Sequence, residues 1–105
     1  MTFVGIGLDG KGHKMSLKEY REIERRHIRP IKGNIYEVWG KIKFEDDSTI
    51  GVYSSEGIRV LPVNIGRHEI EEFRKFEGKW VRFQVLRVED EIYDEVYYIP
   101  RLPKK

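Results

Sequence analysis

From Asn34 to Glu45 the chain alternates with a period of two. Tyr36, Val38, Gly40, Ile42 and Phe44 fall on one side, and Glu37, Trp39, Lys41, Lys43 and Glu45 on the other. Successive side chains of a strand point to opposite faces, so this pattern predicts a long, half-buried strand with its even positions inward. A strand of that length must find partners on both edges, and the rest of the chain supplies them. Thr49 to Ser54 reads as a second strand with Ile50 and Val52 inward, and Ile58 to Val63 as a third. Glu45-Asp46-Asp47-Ser48 and Ser55-Glu56-Gly57 form the turns between them. The three make an antiparallel meander.

The period then changes to that of a helix. Ile70, Phe73 and Phe76 share one side of Arg67 to Glu77, with Gly78 where a terminating glycine is expected. Lys79 to Glu89 returns to alternation, with Val81, Phe83 and Val85 against Arg82 and Gln84, and a lapse at Leu86-Arg87-Val88 suggests a bulge. An acidic loop from Glu89 to Asp94 leads to a fifth strand, Glu95 to about Arg101.

Ahead of this body lie two other segments. Residues 1–14 are glycine-rich and read as a mobile tail or as one extra strand on a sheet edge, with mobility the simpler expectation. Ser16-Leu17-Lys18-Glu19 is a capping-box pattern, and Leu17, Tyr20, Ile23 and His27 or Ile28 follow at helical spacing until Pro30. A helix is therefore expected over about Leu17–Ile28, docked by its apolar stripe, with Lys18, Arg21, Arg25 and Arg26 toward water. The division is a tail over 1–14, a basic helical extension over 15–32 and a β-domain over 33–103.

A chain of 105 residues has room for one compact core, so a separate catalytic domain is not expected. There is no cysteine for a disulfide or a thiolate zinc site. No apolar run approaches the length of a bilayer span, and the first residues lack the apolar core of a signal peptide. A cytoplasmic protein without membrane association is expected. Charged residues make up 36 % of the chain, a thermophile-like balance in which ion pairs replace labile side chains. Residues 11–32 carry eight Lys or Arg against three Glu, whereas residues 33–100 carry fourteen acidic side chains against nine basic. Basic arms, extended at the C-terminus by Arg101, Lys104 and Lys105, flank an acidic body, which hints at contact with a polyanion.

Three strands, a helix and two strands, with Gly40 inside the long first strand and Phe76-Glu77-Gly78-Lys79-Trp80-Val81-Arg82-Phe83 leading into the fourth, resemble the oligonucleotide/oligosaccharide-binding (OB) fold. The resemblance covers Asn34 to Leu102. It is to domains of the type found in archaeal single-stranded nucleic-acid-binding proteins. It implies a closed five-stranded barrel, mainly β, whose ligand face is the outer surface of the first three strands. Such faces stack bases on aromatic rings and pass phosphates along cations. On that implication Trp39 and Tyr53 stack bases, Lys41, Lys43 and Arg59 contact phosphate, and Arg21, Arg25 and Arg26 of the extension add cations. The partner is single-stranded DNA or RNA, and no cofactor is implied.

Alternatives stand beside that reading. The two loops expected to grip the ligand, Glu45-Asp46-Asp47 and Glu89 to Glu95, are acidic and repel phosphate. They favour an interaction module that docks on a protein partner in a replication, repair or translation assembly. Trp39 either stacks on a ligand or packs against the N-terminal helix, and Trp80, at a strand start, reads as a packing residue. Gly5-Ile6-Gly7-Leu8-Asp9-Gly10 matches a dinucleotide fingerprint, but no complete strand precedes it and no β-α-β unit follows. His13, His27 and His68 show no ligand spacing, and the acidic loops lack the alternation of a calcium loop, so no metal is expected. No Ser/His/Asp grouping or carboxylate pair stands out, and a non-enzymatic protein is expected.

Overall fold

The computed structural model describes residues 2–101, so Lys104, Lys105 and the expected domain boundary at 103 lie outside the described residues. The fold is mainly β. In chain order it runs β1 (Thr2–Ile6), β2 (Gly12–Ser16), α1 (Leu17–His27), β3 (Ile28–Lys32), β4 (Ile35–Phe44), β5 (Thr49–Tyr53), β6 (Arg59–Asn64), α2 (Arg67–Arg74), β7 (Trp80–Asp90) and β8 (Glu95–Arg101). No described helix is long and apolar enough to cross a membrane.

The meander expected from the alternation is β4, β5 and β6, paired antiparallel in that order. Val38, Ile42, Ile50, Val52 and Val63 form its buried inner face. Gly40 is required here because a Cβ would meet the Tyr53 carbonyl oxygen at 2.6 Å, and backbone cannot move aside cheaply. On its other edge β4 pairs with β7, and β7 with β8. Phe73 of α2 is fully buried and meets Phe83 edge to face at 5.4 Å, closing one end of the core.

The architecture differs from a closed five-stranded barrel in two respects. The ladder runs β6-β5-β4-β7-β8 and stays open, since β6 and β8 approach one another without pairing among the described residues. Pro62 in β6 and Pro100 in β8 have no N–H to offer across that gap. Three further strands are also present. β3 pairs with the first half of β4, since Pro30 ends the helix but suits an edge strand. β1 and β2 form a separate hairpin where a mobile tail was expected. Gly10, with φ +80°, fits its turn, and Leu8 N–H donates to the Gly57 carbonyl at 2.8 Å, tying the hairpin to the sheet. The lapse in alternation within β7 marks no bulge. Its pairing with β8 is regular, and the register shifts fall at Pro30/Lys32 and Val52/Tyr53.

The helix starts as its sequence predicts. Ser16 Oγ accepts from the Glu19 N–H at 3.1 Å, while the Glu19 carboxylate accepts from the serine hydroxyl. Ile23 is buried against Ile58 and Val60, making a small second core outside the sheet. The Tyr20 hydroxyl donates to the Val60 carbonyl at 3.3 Å, so the helix lies against the outer side of β6.

Candidate nucleic-acid interface

The outward residues of β4 and β7 meet as a checkerboard. Antiparallel pairing sets Trp39 opposite Arg82 and Lys41 opposite Trp80, and side chains that are diagonal neighbours on one face come within reach of each other. The two indole rings accordingly lie 5.0 Å apart, tilted by 31°, with Trp39 37 % and Trp80 45 % exposed. Two bulky apolar rings left open side by side mark a surface that something covers.

His27, the last residue of α1, fixes this pair from below. It is buried, its ring stacks on Trp39 at 5.1 Å and 6°, and Nδ1–H donates to the Trp39 carbonyl at 2.6 Å. A carbonyl only accepts, so Nδ1 must carry the proton. One face of Trp39 is thereby taken. A base cannot slip between the indoles either, since that needs about 7 Å, two contact distances of about 3.5 Å. What remains is a stepped aromatic platform.

A cleft of about 210 Å³ opens beside it, lined by Arg25, Arg26, Arg29, Glu37, Trp39 and Arg82, with His27 and Ile28 as its floor. Glu37 is the single carboxylate on that wall, 3.1 Å from Arg29 and 4.0 Å from Arg82. Arg26 reaches Glu56 at 2.9 Å. Arg25 and Lys41 have no carboxylate partner among the described residues. The cleft therefore holds a surplus of positive charge beside aromatic surface.

The chain matches no family model, no curated protein and no solved structure.

The residues singled out from sequence separate into two groups. Trp39, Lys41, Arg25 and Arg26 gather at the platform and cleft, and Arg21 stands one turn back along α1. Tyr53, Arg59 and Lys43 do not join them. Tyr53 is only 1 % exposed and cannot take a base. Two residues along β5 on the same face, Gly51 makes room for the Tyr53 ring, which an added Cβ there would meet at 2.6 Å. Burial pushes its hydroxyl pKa up, with Glu45 adding and Arg59 offsetting. Arg59 is spent on a two-oxygen ion pair with Glu45, at 3.0 and 2.7 Å. Lys43 donates to the Leu8 carbonyl at 3.0 Å, beneath the N-terminal hairpin, and lies 6.0 Å over the Tyr53 ring.

Trp80 is an exposed platform residue and not the packing residue its position at a strand start suggests. Arg82, Arg29 and His27 also belong to the site without having been picked out from the sequence. The alternation Trp80, Arg82, Gln84 was visible as an outward row. What placed it beside Trp39 was the register between β4 and β7, which no local pattern encodes.

Proposed function

We propose that this chain is a non-enzymatic binder of single-stranded nucleic acid, DNA or RNA, built on an OB-like but open sheet. The observation that carries the reading is the exposed Trp39–Trp80 platform set among Lys41, Arg82, Arg25 and Arg29. Stacking on an aromatic side chain is worth about 1–3 kcal/mol per base and tolerates any sequence, while neighbouring cations gain from displacing counterions. The OB likeness is supported by the order of β4, β5, β6, α2, β7 and β8, in which the long glycine-containing strand pairs on both edges. A cytoplasmic location accords with a cysteine-free chain.

The test is titration of fluorescent single-stranded DNA and RNA into the protein at low and high salt. Binding should weaken steeply with salt and should quench tryptophan fluorescence. Absence of both effects would sink the proposal. Hydrolysis of the oligonucleotide by purified protein, lost on a site substitution, would overturn the non-enzymatic part.

One observation favours the second reading, a protein-interaction module. The β7–β8 hairpin exposes Ile92 and Tyr93 among Glu89, Asp90, Glu91, Asp94 and Glu95. Asp90 Oδ1 accepts from the N–H groups of Ile92 and Tyr93 at 3.0 and 3.3 Å, so the tip is preformed. An apolar tip ringed by carboxylates suits a basic protein surface and repels nucleic acid. Platform substitutions that leave partner capture intact while Ile92→Asp abolishes it would favour this reading.

A further inference from the structure

The cleft beside Trp39 ends at Arg25 and Ile28, and both residues also line a second hollow. This one measures about 380 Å³ and is completed by Arg21, Glu24, Tyr36 and Tyr98. Its two tyrosine rings stand edge to face at 6.3 Å, and both are half-buried. Arg21 and Arg25, four apart, share one side of α1 and wall the hollow together with Ile28, the first residue of β3. Each hollow thus sets aromatic surface beside arginine, Trp39 in the first and Tyr36 with Tyr98 in the second, and Arg25 is common to both.

Resting on the nucleic-acid reading above, we propose that a bound single strand does not stop at the tryptophan platform but runs on over Arg25 into the tyrosine hollow. One base lies on Trp39 and Trp80, another against Tyr36 and Tyr98, and Arg25 holds phosphate between them. Arg21 meets the backbone at the far end. Glu24 is the one carboxylate there; burial pushes its pKa up, and Arg21 beside it partly offsets this. The track passes from the outer face of β4 along the Arg21–Arg25 side of α1 to the rim of the main core, against which Tyr36 and Tyr98 pack. It calls for a strand of roughly four nucleotides, the short end of the about 4–16 that one oligonucleotide-binding fold handles.

The test is calorimetric titration of the whole protein at low salt with a dinucleotide, a tetranucleotide and an octanucleotide of thymidylate. Two variants accompany the wild type: Tyr98→Leu, which keeps apolar bulk but loses the aromatic face, and Arg21→Glu on the exposed helix surface. Thermal melts establish that both remain folded, and Arg21→Glu carries the test alone if Tyr98→Leu does not fold. In the wild type affinity should rise about tenfold or more from dinucleotide to tetranucleotide and then level off. Each variant should cut the tetranucleotide-to-dinucleotide affinity ratio by about fivefold or more, the weak end of one stacked base. A wild type that binds both lengths equally, or variants that leave the ratio unchanged, would overturn the second hollow and leave the tryptophan platform standing. Failure of every oligonucleotide to bind would overturn both.

Discussion

The outer face of the sheet has two halves built from the same kinds of residue, and they have opposite fates. Near Lys43, Tyr53 and Arg59, the aromatic ring is buried and the two cations, partly exposed, are engaged by the Leu8 carbonyl and by Glu45. Near Trp39, Trp80 and Arg82, the rings remain open and the cations outnumber the one carboxylate between them. Pointing away from the core of the sheet is therefore not the same as facing water. A second layer, supplied here by the N-terminal segment, decides which half stays free. That segment both withdraws part of the face expected to bind and, through His27, Arg25 and Arg26 at the end of α1, adds to the part that remains.

The largest expected contrast is in stability. Tyr53→Ala removes a fully buried ring and should cost about 3–5 kcal/mol in a urea melt. A loss below about 1 kcal/mol would mean that the covered half opens readily and that the two halves are not distinct. Next comes binding at the open half. Trp39→Ala and Trp80→Ala should each cost about 1–3 kcal/mol in single-strand affinity, read by calorimetry, while the fold persists by circular dichroism. A collapse of the fold in both variants would make the platform a packing feature like Tyr53.

A finer contrast lies in the salt dependence of binding. Losing one phosphate contact lowers the slope of log affinity against log salt by about 1. Arg82→Ala should show that change, whereas Lys43→Ala should leave the slope where it is, because its ammonium is held by the Leu8 carbonyl. Equal slopes in the two variants would erase the division at the level of charge.

The smallest effect is expected from Glu24, at the margin of the open half, whose folded pKa is raised by burial above its usual value of 4.5. Below that value the carboxyl is protonated in both folded and unfolded chains and costs nothing. As pH rises through the raised folded pKa, ionisation penalises the folded state. Glu24→Gln should therefore stabilise the protein at neutral pH, by less than about 1 kcal/mol given its partial exposure. The gain should vanish below about pH 4 in melts across the pH range. A gain that persists in acid would show that the carboxylate charge is not its source.

Much of the fold was legible from local pattern. The alternation through Asn34–Glu45 located β4 and assigned its inner face correctly, from Val38 to Ile42. Ser16 and Glu19 marked the start of α1, and Phe73 was correctly set on the inward side of α2. The second helix ends at Arg74, short of the expected Glu77: the backbone tightens into a turn, with Phe76 N–H donating to the Phe73 carbonyl at 2.9 Å, Glu77 then bridges to Ile42, and its carboxylate accepts from the Phe44 N–H at 2.9 Å. Its carboxylate serves the sheet and not the helix.

Of the candidate site, the sequence by itself determined that Trp39 and Lys41 lie on the outer face and that α1 is basic, since periodicity and charge are properties of neighbours along the chain. Only the tertiary structure decided that Tyr53 is buried, that residues 2–16 form a covering hairpin, that β3 exists, and that Trp80 and Arg82 stand beside Trp39. Each depends on contacts between residues far apart in sequence. Register and docking are fixed by the sum of many such contacts, and a shift of one residue in the β4–β7 pairing would turn Trp80 to the other face.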